Sequence, residues 1–261
     1  MPANTIPLLI LGLFAGVLSG LFGIGGGVVI VPVLTALYGF TLQAAVGTSL
    51  GALLMPVAIL ACIEYYRAGL LKVNTAAPVA IGLLGGAWFG AQIAFVLPGD
   101  ILKVLYGVFL LFAAWRFTEP RKWLRERREG KLPEKPVETV RTGAPGVLLA
   151  LGVFAGVISG LFGVGGGIVI VPALVGLLRF DQKAAVATSL GALLLPVGLP
   201  AALTYYNNGA LDPATAGLIA VGLLFGAFGG ARLALNLPSS TIKRLYGIFL
   251  LLVGLRFIFG G

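Results

Sequence analysis

The chain has no histidine, one cysteine and very little charge: 10% of its 261 residues are Asp, Glu, Lys or Arg. Each shortage excludes something. Without histidine, and with Cys62 alone, the usual ligands of zinc or haem and the usual Cys/His nucleophile pair are missing, and no disulfide forms within the chain. Soluble domains devote about a quarter of their residues to charge, so this chain is not one of them. No cofactor is expected. Nine of the 18 cations lie between Arg116 and Arg141, so the net charge of +9 is local and argues against a nucleic-acid face.

What is abundant is hydrocarbon and glycine, with 59% apolar residues and 40 Gly. About 20 apolar residues suffice for one helical crossing of a bilayer, and nearly every stretch outside the basic segment qualifies. The composition therefore predicts an all-α polytopic membrane protein. Residues 1–5 carry no Lys or Arg ahead of the first apolar run, so a retained first helix is expected in place of a cleaved signal.

Sliding the sequence along itself until Gly12 meets Gly152 aligns 11–117 with 151–257 without a gap, and 60 of those 107 positions are identical. Gly23-Ile24-Gly25-Gly26-Gly27 returns as Gly163-Val164-Gly165-Gly166-Gly167, Val31-Pro32 as Val171-Pro172, Thr48-Ser49 as Thr188-Ser189 and Tyr65-Tyr66 as Tyr205-Tyr206. The unit is duplicated: residues 1–118 form a first transmembrane repeat, 119–144 a basic linker and 145–261 a second repeat. Each repeat holds about five apolar segments, near 6–22, 26–38, 43–63, 75–97 and 101–117 in the first, which gives 8–10 in total. The first two are short or re-entrant.

An odd number of crossings per repeat inverts the second relative to the first. Outside the linker, that arrangement puts six cations on the cytoplasmic side and two outside, against three and five for parallel repeats. Positive charge favours the cytoplasm, so inverted repeats are expected, with the linker cytoplasmic and both termini periplasmic.

Three adjacent glycines within a membrane leave backbone groups that hydrocarbon cannot satisfy, at several kcal/mol each. Such a break belongs inside protein or beside a watery cavity, where it presents N–H groups at the start of a helix, and helix N-termini attract anions. A tight turn packed against a neighbour would need the same glycines. Gly25, Gly26, Gly27, Gly165, Gly166 and Gly167 are thus candidate substrate-binding positions. Thr48, Ser49, Thr188 and Ser189 are candidate hydroxyl donors, unless they bond back to their own helices. Arg232 is a cation inside a predicted helix, either a ligand or a side chain snorkelling to the surface. Glycines at every fourth position (Gly12, Gly16, Gly20; Gly82, Gly86, Gly90; and their copies) make faces for close helix contact, within the chain or through a homodimer.

The glycine break followed by Val-Pro and the Ala-Val-x-Thr-Ser-Leu run, present in both repeats, resemble the sulfite exporter TauE/SafE family, also called the toluene sulfonate uptake permeases. The resemblance implies a bacterial inner-membrane transporter of small organosulfur anions, such as sulfite, sulfoacetate, taurine or other sulfonates, and in some members of small carboxylates. It names neither the cargo nor the direction of transport. An anion channel would use the same glycine breaks as a fixed filter.

The inversion has a direct check. Cysteines introduced beside Gly39 and beside Arg179 should react with a membrane-impermeant maleimide from opposite sides of the membrane; labelling from one side would require parallel repeats.

Overall fold

The computed structural model describes residues 5–118 and 144–236, together with Leu251, Gly254 and Leu255; most of the basic linker lies outside them. The described residues form helices joined by short loops, with no strand among them: α1 (Thr5–Phe22), α2 (Gly27–Tyr38), α3 (Leu42–Leu54), α4 (Ile59–Arg67), α5 (Val73–Val96), α6 (Gly99–Thr118), α7 (Pro145–Phe162), α8 (Gly167–Gly176), α9 (Gln182–Leu194), α10 (Leu199–Asn207) and α11 (Pro213–Asn236). α1, α5, α7 and α11 are each long and apolar enough to cross a membrane. The pairs α3–α4 and α9–α10 pass the same test as broken spans bent by 51°.

The bends differ from the single segment expected over 43–63, and proline explains them. Pro56 and Pro196 lack an N–H, and their rings clash with the carbonyl four residues earlier. The chain turns extended at Met55 and Leu195 and restarts as helix at Ile59 and Leu199. α2 and α8, with 12 and 10 residues, reach only about 18 and 15 Å at 1.5 Å per residue.

Two compact units result, and neither coincides with a repeat: one joins Met1–Leu97 with Val140–Leu237, the other Pro98–Thr139 with Pro238–Gly261. In the second, Asp100 sits in the first turn of α6, where a carboxylate suits the positive end of the helix dipole. Gly254 in that unit lies against Leu110 and Leu111.

In the first unit the repeats interlock. Gly12, Gly16 and Gly20 of α1 lie successively on Ile219, Leu223 and Ala227 of α11, and Gly82, Gly86 and Gly90 of α5 on Leu149, Val153 and Val157 of α7. Each pair joins one repeat to the other, with the two helices running in the same direction. The contacts are so close that a methyl group on any of these glycines would collide with a facing carbonyl. Hydrocarbon supplies no hydrophobic drive between helices, so close backbone approach provides the attraction. These glycine rows are filled by contacts within the chain.

Helix directions follow from the same contacts. α3–α4 tracks α11, since Gly51 faces Ala216 and Glu64 meets Arg232. By the same test α9–α10 tracks α5: Gly191 faces Ala76, and the Tyr205 and Phe95 rings lie 5.0 Å apart. α3 opposes α10, because Gly47 meets Tyr205 while Leu50 and Leu54 meet Gly198. Hence α1, α3–α4 and α11 point one way and α5, α7 and α9–α10 the other.

Gly86→Leu should lower stability by at least about 1–3 kcal/mol, because the Val153 carbonyl cannot yield. Gly85→Ala, with nothing within 4 Å, should leave stability unchanged or raise it by up to about 1 kcal/mol. Thermal denaturation of the purified protein in detergent compares the two.

Candidate functional site

α1 ends where Gly23 N–H donates to Ser19 O (2.7 Å), and α2 begins where the amides of Val29 and Ile30 donate to Gly26 O. Between these points Gly25 and Gly26 take φ values of +83° and +81°, which side chains with a Cβ rarely adopt. The copy repeats every feature, with Gly165 and Gly166 at +75° and +78°. The two loops cross. A Cβ on Gly25 or on Gly165 would lie 3.3 Å from the other's Cα, and Gly27 packs on the Gly163 carbonyl as Gly167 packs on that of Gly23.

Hydroxyls from both repeats clamp the crossing. Ser49 Oγ donates to Gly163 O (2.8 Å) and Ser189 Oγ to Gly23 O (2.7 Å), so each serine binds the opposite loop. Tyr65 and Tyr205 donate to Gly20 O and Gly160 O, both at 3.0 Å, and steady the last turns of α1 and α7. Val46 and Val186 close in on Gly163 and Gly23, and Leu53 and Leu193 on Gly165 and Gly25. Residues 21–30 and 161–168 are buried throughout.

Within this apolar enclosure the amides of Gly25, Gly26 and Gly27, like those of Gly165, Gly166 and Gly167, meet no acceptor among the described residues. Buried N–H groups are nearly always paired. Six such donors, with the positive ends of α2 and α8 behind them, make an electropositive centre from backbone alone. It is tightly closed here, so a ligand would have to part the loops.

The remaining candidates fall elsewhere. Thr48 does not reach the crossing: its Oγ1 accepts from Asp212 N–H (3.1 Å) ahead of α11. Thr188 is buried at the corresponding place in the second repeat. Burial alone would raise the Asp212 pKa, but hydrogen bonds from the Thr215 hydroxyl and the Thr215 and Ala214 amides outweigh it and hold the carboxyl below its ordinary value. Arg232 stays at the surface. Its guanidinium lies 3.4 Å from Glu64 Oε1 and 4.1 Å from the Phe228 ring centroid, while Arg67 approaches the same carboxylate at 3.9 Å. A groove of 450 Å³ opens at the α3–α4 break, lined by Gly51, Leu54, Met55, Pro56, Tyr206 and Leu211 among others.

The sequence showed the repeated tyrosine pair without its structural role, although a hydroxyl recurring at the equivalent place in both repeats was a signal. It missed Asp212 as a capping residue because the copy of that position is Lys72. No cluster of metal-binding side chains occurs among the described residues.

The family described as Sulfite exporter TauE/SafE matches residues 8–257. Relatives are similar over nearly their whole length. A probable membrane transporter protein of Methanocaldococcus jannaschii is 32% identical over 95% of this chain and 96% of its own. The probable membrane transporter protein YunE of Bacillus subtilis is 30% identical over 97% of each, and YdhB of the same organism 26% identical over 97% of this chain and all of its own. No solved structure matches.

Ser49→Ala and Ser189→Ala should each destabilise the protein by about 1–3 kcal/mol, the cost of a buried carbonyl losing its partner. Since both bonds hold one crossing, the double variant should depart from additivity. Thermal unfolding of the four proteins in detergent completes the cycle.

Proposed function

Because the chain belongs to the sulfite exporter TauE/SafE family, we propose that it carries small organosulfur anions, sulfite or short sulfonates, across the membrane by alternating access at the crossing of its glycine loops. It is a multi-pass membrane transporter, not an enzyme. The observation that carries the cargo reading is the set of six buried amides without acceptors among the described residues, opposed across a pseudo-two-fold axis. N–H donors in low dielectric suit sulfur oxyanions, and nothing among the described residues at the crossing offers a negative group to a cation.

Closure of the crossing favours a carrier over a fixed filter, since a permanent pore needs a permanent opening. Rocking of one repeat against the other would tear both glycine-lined pairs, α1 with α11 and α5 with α7. The bodies that move are instead the two sets of like-directed helices, one comprising α1, α3–α4 and α11, the other α5, α7 and α9–α10. Parting them opens the crossing and frees the amides.

Charge supports an inner-membrane orientation. All five described cations of the larger unit, Arg67, Lys72, Arg179, Lys183 and Arg232, sit at one end of the helix array. There Lys183 Nζ donates to Leu235 O (3.0 Å) at the end of α11. By the positive-inside rule this end is cytoplasmic. Residue 5 then lies at the periplasmic end and residue 145 at the cytoplasmic one.

Uptake of labelled sulfite into proteoliposomes should be saturable and trans-stimulated, and compete with sulfonates better than with acetate. Gly166→Val, which puts a side chain at a φ of +78° against Leu83, should abolish it in protein that still elutes as a folded species. Undiminished uptake by that variant would refute the crossing as the site, and preference for acetate would refute the cargo.

A further inference from the structure

The two repeats finish one helix start differently. Asp212 precedes α11, and its carboxylate is fully engaged: Oδ1 accepts from the amides of Ala214 (3.0 Å) and Thr215 (3.2 Å), and Oδ2 from the Thr215 hydroxyl (2.7 Å). At the same place before α5 stands Lys72, whose side chain makes no cap. A lysine has donors only, so the first turn of α5 has lost its acceptor. The donors remain. Thr75, the copy of Thr215, is 1% exposed, and its hydroxyl is buried with no hydrogen-bond partner. The amides of Val73 and Asn74 meet no acceptor among the described residues, and that of Thr75 has turned to Lys72 O (3.1 Å). Pro213 supplies no N–H at the first helical position of α11, whereas Val73 adds one at the start of α5. Lys72, Val73 and Asn74 are exposed, so the place opens to the surface.

We propose that the N-terminus of α5 binds a small oxyanion, which takes the position that the Asp212 carboxylate holds in the other repeat. One oxygen accepts from the Asn74 amide, a second from the Thr75 hydroxyl, and the Lys72 ammonium balances the charge. The second repeat supplies the template: the same helix start, with the same threonine, is satisfied there by two carboxylate oxygens. A 24-residue helix with its positive end at this point adds attraction for the anion. The site is separate from the glycine crossing and does not rest on the cargo proposed above. Its occupant is a free carboxylate, sulfonate or sulfate, or the phosphate of a lipid headgroup, which offers the same oxygens.

Hydrogen–deuterium exchange of the full chain, followed at a peptide covering residues 70–78, tests the proposal. In maltoside micelles, sulfate or acetate at about tenfold above its Kd should make opening of this turn about elevenfold rarer, and slow exchange accordingly. Slowing by phospholipid nanodiscs without added anion, and by neither salt in micelles, would identify the headgroup phosphate as the occupant and equally support the site. Lys72→Asp restores the internal carboxylate; its first turn should exchange slowly without any anion and respond to none. Thr75→Val should lose most of the anion's protection in protein of unchanged elution. The proposal fails if neither salts nor lipid slow exchange in the parent, or if Lys72→Asp responds to sulfate as the parent does.

Discussion

Contact between bare backbones holds this molecule together. In water a helix pair gains from hiding apolar surface, but in a bilayer the surroundings are as apolar as leucine and that gain vanishes. The chain answers with glycine facing carbonyl along α1 with α11 and along α5 with α7. Both pairs connect one repeat to the other, so the duplicated units are braided. The crossing loops lie between the braids, held by serines that each reach into the opposite repeat.

Duplication produces near-identity at the centre and divergence at the ends. The serine clamps recur at 2.8 and 2.7 Å and the tyrosine struts both at 3.0 Å. Toward the surfaces the copies part. Arg179 stands where the first repeat has Gly39, and both adopt a left-handed backbone, φ +55° and +69°. That conformation costs a non-glycine residue about 1–2 kcal/mol. Lys72 stands for Asp212, and Glu64 with Arg232 for Thr204 and Gln92. Helices α1, α3–α4 and α11 point against α7, α9–α10 and α5, so equivalent loops lie at opposite ends of the helix array and their charges need not agree. Local helix geometry gives way to orientation at these positions.

Much of the fold was legible because hydrocarbon imposes simple rules. The bounds of α1, α2 and α5 and the glycine faces follow from runs of apolar residues punctuated by proline and glycine. The break after α3 was hidden because Pro56 reads equally well as a kink within a continuous helix. The glycine rows announced close packing without naming which helices meet. At the site, the glycine loops were found because consecutive glycines in a membrane demand an explanation. The serines came with them through repetition. Thr48 and Arg232 drew attention for the same reasons and proved to sit elsewhere, one beside Asp212 and the other paired with Glu64.

The amino-acid sequence by itself determined that the chain is apolar, helical and doubled, and that its glycine breaks must be sheltered, since composition, period and the chemistry of an unpaired amide depend on no partner. Only the tertiary structure decided that the breaks shelter each other, that the repeats exchange their longest helices, and that Lys72 leaves Thr75 without the acceptor its copy enjoys. Those facts depend on which surfaces meet between distant stretches of the chain, and a repeated sequence offers each surface two equivalent partners until packing chooses one.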